Sequence, residues 1–254
     1  MRLRRSHTPQ GEEENPYWMS FSDIMSGLLV IFILASTALM LQLMEMKDEL
    51  KHKQERFEKE IVELKQAEEV RRTILHEAVE TLRKRGIRVE ISQNSTVMSI
   101  PNELLGFNTA AYEISTAYQA QAREIGEVLN GVIAKDNRTH FLDTVFVEGH
   151  TDNRPINGFM GKGNWGLSTF RAISLWQFWE RVLPADMKLS RLVNADGLPL
   201  FSVSGYAETR PALREQLTEV DFRRNRRIDI RFTIRRPDSS AYERVRDRLE
   251  EAVS

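Results

Sequence analysis

The stretch from Tyr17 to Met46 constrains everything else in this chain, because from Ile24 to Met44 its side chains are apolar apart from Ser, Thr, Gly and a single Gln. About 20 consecutive apolar residues are what a helix needs to cross the hydrocarbon core of a bilayer, so residues 17–46 read as one transmembrane helix. A lone carboxylate, Asp23, stands at the entry to this run, and no further charge follows until Glu45. An ionised group at membrane depth is costly and marks a functional site; the alternative is an Asp capping the first turn at the headgroups. Trp18 and Phe21 precede it as interfacial aromatics, which sets Asp23 a turn deeper. Asp23, Ser26, Gly27 and Val30 share one helical face by spacing, and small residues let a second helix approach closely. The carboxylate is therefore expected to face protein and to act as a proton relay.

The basic start, Arg2, Arg4 and Arg5, favours a cytoplasmic N-terminus over residues 1–16, against Lys47, Lys51 and Lys53 on the far side. The N-terminal segment is too short and polar for a cleaved signal peptide, so the span is expected to remain as an anchor in a bacterial inner membrane, with everything after Met46 in the periplasm. The chain has 254 residues, enough for one span and one ordinary domain, and its formal charge of −1 marks no nucleic-acid binder. The absence of cysteine is compatible with export.

Residues 47–85 lack Gly and Pro and carry Leu50, Phe57 and Leu64 seven apart, while Met46, Lys53 and Glu60 form a mixed row. This predicts a periplasmic helical stalk, solvated or weakly coiled, that would suit a homodimer. Gly86 closes it and opens a domain over 86–236. There, Ile87–Ile91 and Thr96–Ile100 read as a hairpin, Ser115–Ala134 as a helix with Ala117, Ala120, Ile125, Val128, Leu129 and Ile133 inward, and Asp143–Val147 as a strand. A glycine-rich loop, Asn153–Gly163, leads to a helix over Asn164–Leu183, followed by strands at Phe201–Gly205 and Ile228–Ile234. The fold class is thus α+β, an α/β sandwich with a mixed sheet. The tail 237–254, with Tyr242, Val245 and Leu249, reads as a surface helix or a frayed end.

Four segments carry the chemistry: Glu148-Gly-His-Thr-Asp-Asn153, Asn164-Trp-Gly-Leu-Ser-Thr-Phe-Arg-Ala172, Gly205-Tyr-Ala-Glu-Thr-Arg-Pro211 and Arg224-Asn-Arg-Arg-Ile-Asp-Ile230. In this order they resemble the signature segments of OmpA-like peptidoglycan-binding domains. An acid at a strand end, Asp152, and a guanidinium early in the next helix, Arg171, suit a zwitterionic amino-acid end group, with Arg171 gripping a carboxylate and Asp152 receiving an ammonium. The resemblance implies the diaminopimelate of the cell-wall stem peptide as ligand, with Thr151, Asn164 and Leu167 completing the pocket. A structural Asp152–Arg171 salt bridge without ligand is the alternative.

Other patterns carry less. Gly161-Lys-Gly163 lacks the Ser or Thr of a phosphate loop. His150, Asp152 and Ser168 could be drawn as a hydrolytic triad, yet no nucleophile elbow surrounds Ser168, and no enzyme is expected. His7, His52, His76 and His140 have no metal-ligand spacing. Arg223–Arg227 is a dense basic run assigned to holding the fold, with no direct nucleic-acid partner.

One span with a membrane carboxylate, a stalk and a wall-binding domain resembles the B subunit of a proton-driven stator, as in the flagellar motor. The segment Trp18-Met-Ser-Phe-Ser-Asp-Ile-Met25 carries the Trp, aromatic and Asp pattern. Its Trp18-to-Asp23 spacing is one shorter than in the flagellar type, and its wording is more similar to the B subunit of Zorya anti-phage defence. The resemblance implies a dimer of this chain inside a pentameric ring of a multi-span A subunit, which would reach cytoplasmic effectors. No cofactor is implied beyond the proton as transported ion. A passive wall tether is the reading from a different class.

Overall fold

The computed structural model describes residues 16–237 apart from 109 and 160. The expected cytoplasmic tail up to residue 15 and the C-terminal tail from residue 238, with Tyr242, Val245 and Leu249, lie outside the described residues. The chain divides into two compact units, Met1–Lys59 and Glu60–Ser254.

Helix α1 is a single element over Pro16–Lys84, so span and stalk are not separated by a break in secondary structure. In the first unit its apolar side chains are exposed, Ile31 at 68% and Leu41 at 67%, the pattern of a helix whose solvent is lipid. Among the described residues this is the one helix long and apolar enough to cross a membrane.

In the second unit the last turns of α1 are not a solvated stalk. Ala67, Ile74, Leu75, Ala78 and Leu82 recur at helical spacing and are buried in the domain core. Arg138, itself buried, donates from Nη1 and Nη2 to the two Glu77 carboxylate oxygens at 2.8 and 2.9 Å. The helix stops in a Schellman motif: Gly86 adopts φ +80°, its N–H reaches Arg83 O, and Ile87 N–H reaches Leu82 O at 2.9 Å. Leu82 and Ile87, the hydrophobic pair of that motif, are both buried.

Five strands follow: β1 (Glu90–Ile91), β2 (Val97–Pro101), β3 (Leu142–His150), β4 (Phe201–Gly205) and β5 (Arg227–Ile234). They form one mixed sheet in the order β1-β2-β5-β3-β4, parallel only between β3 and β4. The hairpin turn is built by Ser92, whose hydroxyl accepts the N–H groups of Thr96 and Val97.

Helices α2 (Gln119–Ile133) and α3 (Gly163–Val182) complete the sandwich. The α2 prediction needs correction: Ala117 and Ala120 are exposed, and Ala122 and Val132 are buried in their place. A 3-10 turn over Thr116–Tyr118 precedes the helix and shifts its inward face. Trp179 of α3 donates its indole N–H to Ala122 O at 2.7 Å, which satisfies a wholly buried ring nitrogen and ties α3 to α2. Met98, Ile100, Val145, Val147, Ile228, Ile230 and Phe232 belong to this core. Their strand alternates carry a polar set on the opposite face: Ser99, Glu148, His150, Asp229 and Arg231.

Among the α-helices and strands, α4, Glu219–Asn225, was not predicted. A capping box starts it, Thr218 Oγ1 accepting Asp221 N–H while Asp221 accepts Thr218 N–H. This short helix delivers Arg226 to the start of β5.

Candidate functional site

Strand β3 runs further than its hydrophobic pattern predicts and takes in Glu148, Gly149 and His150, so Thr151 and Asp152 leave the sheet at its carboxyl end. Beside them lies the N-terminal half of α3, which contributes Asn164, Leu167, Ser168 and Arg171, all buried. The approach is close because Gly149 carries no side chain: a Cβ there would sit 1.9 Å from Ser168 O. Ser168 Oγ accepts the Ala207 N–H at 3.0 Å, and Thr151 N–H reaches Ala207 O at 2.9 Å. Three of the four signature segments are thereby joined, and Arg226 brings in the fourth.

Asp152 and Arg171 make no ion pair with each other. Asp152 Oδ2 accepts Arg154 Nη2 and Arg226 Nη1, both at 2.7 Å, and its Oδ1 accepts the Arg154 N–H at 3.2 Å. Both guanidiniums also reach Glu219, Arg154 at 3.1 Å and Arg226 at 2.7 Å. Burial works to raise the Asp152 carboxyl, and the hydrogen bonds from Arg154 and Arg226 outweigh it, so the group is held below the usual carboxylate range.

Arg171 is 2% exposed and bonds to carbonyls alone: Nε to Ala111 O at 2.9 Å and Nη2 to Asn108 O at 3.1 Å. Its guanidinium carbon lies 5.2 Å from the Phe107 ring centre. Among the described residues no carboxylate pairs with it. Burial pulls this guanidinium down to about 10, the nearby Arg226 charge adds to the effect, and Asp152 opposes it.

Two further polar atoms of the site have no hydrogen-bond partner among the described residues although buried: Thr151 Oγ1 and Asn164 Oδ1. The Asn164 amide nitrogen donates to Arg154 O at 3.1 Å. Leu167, 1% exposed, supplies the apolar element. Tyr112, Phe159 and Phe170 cluster with ring centres 5.5 to 6.2 Å apart, joining the loop ahead of α2 to the loop ahead of α3. The five outer-domain residues singled out by the sequence thus lie on β3's exit and on the first turns of α3. Arg154, Arg226 and Glu219 were missed, although the basic run 223–227 pointed at one of them.

The hydrolytic triad is not assembled. His150 Nε2 faces Asp229 Oδ2 at 3.2 Å and its ring stacks on Tyr206, while the Ser168 hydroxyl is committed to backbone. Glu148, His150 and Asp229 present ligand atoms within 4.8 Å of one another, a grouping that could hold a metal ion. The two acids already have cations: Arg231 Nε lies 2.8 Å from Glu148, and Arg227 Nη2 2.9 Å from Asp229.

Asp23 lies near the start of α1, exposed on the helix surface two residues beyond Phe21, whose ring centre is 6.5 Å from that of Trp18.

No family model matches the chain. Among curated proteins it is similar to the uncharacterized protein YtxE of Bacillus subtilis (strain 168), 23% identical over 246 residues, which cover 89% of this chain and 92% of that one. Among solved structures it is similar to the cell wall anchor of the T6SS from Pseudomonas aeruginosa, with TM-score 0.46 and 22% identity over 65% of this chain and 99% of that one. It is similar also to a putative MotB-like protein from Desulfovibrio vulgaris, with TM-score 0.49 and 16% identity over 68% and 99% of the two chains. The periplasmic domain of Helicobacter pylori MotB gives TM-score 0.42 and 19% identity over 63% and 90%.

Proposed function

We propose that this chain is a single-pass inner-membrane protein of the stator B type, whose periplasmic domain anchors it to peptidoglycan while its span handles protons. The observation that carries the wall-anchoring half is Arg171, a buried guanidinium with no carboxylate partner among the described residues; on the same strand exit and helix, Thr151 Oγ1 and Asn164 Oδ1 are buried with no hydrogen-bond partner among the described residues. Such a group is costly to bury alone and is satisfied by an incoming anion. The free carboxylates of a wall stem peptide supply one, with Asp152, Thr151, Asn164 and Leu167 shaping the pocket.

The motor half rests on Asp23, a carboxylate at the mouth of an apolar span. In this reading two copies of the chain sit inside a ring of multi-span A subunits. Asp23 takes up a proton from the outside and releases it inward, altering its contacts with the ring. One charge crossing about 100 mV yields roughly 2.3 kcal/mol, enough to bias a rotary step. The wall-bound domain holds this subunit still, so the ring turns and acts on cytoplasmic effectors. Flagellar rotation is one load such a unit drives. Anti-phage defence of the Zorya type is the other, favoured by the wording of Trp18–Met25.

The test is Asp23→Asn in the full-length chain with its co-purifying membrane partner. Proton flux and biological output are lost while assembly and sacculus binding persist; unchanged output would leave a passive tether. Swimming against phage plating separates the two loads.

A further inference from the structure

We infer that β4 is a docking edge for a second copy of this chain, and that two outer domains join their sheets antiparallel through it. In the proposed function two copies share one ring; how their outer domains meet is a separate matter, and it rests only on both copies being held in one membrane.

The two edges of the sheet differ. At one, β1 is two residues long and carries Glu90. At the other, β4 is five residues long, Phe201-Ser-Val-Ser-Gly205, without charge, proline or bulge. Sheets that must stay single blunt an edge with such devices, because its N–H and C=O groups otherwise offer a template for another strand. Here that template is open. Val145 N–H reaches Leu200 O and Tyr206 N–H reaches Gly149 O, so the even-numbered residues of this stretch turn their backbone groups toward β3. Phe201, Val203 and Gly205 turn theirs away from it, and no hydrogen bond among the described residues meets them.

The edge is complementary to itself. A two-fold axis through Val203 sets Val203 against Val203 and Phe201 against Gly205, and in this phase each pair exchanges both N–H···O bonds. The bulkiest side chain of the strand then stands opposite its glycine. On the other face Ser202, which is exposed, falls opposite Ser204, whose hydroxyl is buried with no hydrogen-bond partner among the described residues. Cross-strand hydroxyl pairs of this kind are stabilising. No like charges meet across the axis, since β4 carries none. What singles out a second copy as the occupant is the anchor: the apolar part of α1 holds every outer domain on the same side of one membrane, so copies meet at raised effective concentration.

The experiment uses the absence of native cysteine. Full-length chains carrying Ser202→Cys or Ser204→Cys are co-expressed with different tags, and the membranes are oxidised with copper-phenanthroline. In the inferred register these two positions lie about 4.5 Å apart at Cα, as a non-hydrogen-bonded pair, within the range a disulfide spans. Either position meets its own counterpart at about 8 Å, two residues along the strand, which is too far. Covalent dimer is expected from the mixed pair at about tenfold the yield of either variant alone. Adding Val203→Pro to both chains removes an outward N–H and leaves the β3 ladder whole, so the mixed dimer should vanish at an unchanged melting temperature. A mixed yield no greater than that of the single variants overturns the inference, as does a mixed dimer that survives in a folded Val203→Pro chain. If Val203→Pro lowers the melting temperature, the register comparison alone decides. Either overturning result leaves wall anchoring and proton handling standing, since sacculus binding and Asp23→Asn read those.

Discussion

Asp229 and Arg227 stand two residues apart on β5, their charged groups 2.9 Å from one another and both nearly closed to solvent. Burial acts to raise the Asp229 carboxyl, and His150, Arg227 and the Ser99 hydroxyl at 2.6 Å together hold it down to about 2. An acid depressed from its unfolded value of about 3.9 contributes stability in full above that value and loses it as pH falls toward the folded value; a shift of this size corresponds to about 2.6 kcal/mol. Thermal unfolding of the full chain should show a melting temperature that is flat above pH 5 and falls between pH 4 and 2. In Asp229→Asn this part of the fall should disappear.

Replacing Glu77 by Ala should cost the domain about 2 kcal/mol, because it strands Arg138, whose side chain is 9% exposed, without its bidentate acid. The penalty stays below that of a fully buried pair, since Glu77 itself is 37% exposed. Arg138→Met, which removes the buried charge along with its partner's role, should cost less than Glu77→Ala. Chemical denaturation of the three chains gives the comparison.

Two glycine replacements should separate a steric cause from a conformational one. At Gly86 a Cβ meets nothing within 4 Å, but φ is +80°, so Gly86→Ala should cost about 1 kcal/mol. At Gly149 a Cβ would fall 1.9 Å from Ser168 O, a rigid backbone atom, so Gly149→Ala should cost about 3 kcal/mol and weaken sacculus binding by forcing α3 off β3. Wall binding at a temperature where both variants remain folded tells them apart, since Gly86→Ala should leave it intact.

The sheet, the two large helices and the span were legible because hydrophobic period and length encode them locally, as in Ile228, Ile230 and Phe232 or in the run from Ile24 to Met44. That the outer-domain residues Thr151, Asp152, Asn164, Leu167 and Arg171 gather at the exit of β3 and the first turns of α3 was legible because they sit in ordered motifs. What escaped was tertiary. Arg154 stands in a loop without periodicity, and Arg226 reaches Asp152 across 74 residues of chain. Nothing in a linear pattern says that two arginines will close on the same oxygen. Helix α4 is seven residues long, below what periodicity resolves, although Thr218 and Asp221 spell its capping box. The end of the predicted stalk shows the same limit from another side. Ile74, Ala78 and Leu82 lie in the stretch 47–85 that reads as helix, but the surface that covers them is supplied by residues far downstream.

That last point sets where the chain may be cut. A fragment trimmed at Gly86 would keep every signature motif and still lack Ile74, Leu75, Ala78, Leu82 and the Glu77 clasp, leaving an oily trench along the rest of the core and Arg138 with no counter-charge. Such a fragment should aggregate on expression, whereas one begun upstream of Ala67 should stay soluble and monodisperse. The portable unit of this protein is therefore longer than its recognisable motifs, and its first secondary-structure element is the tail of the helix that enters it.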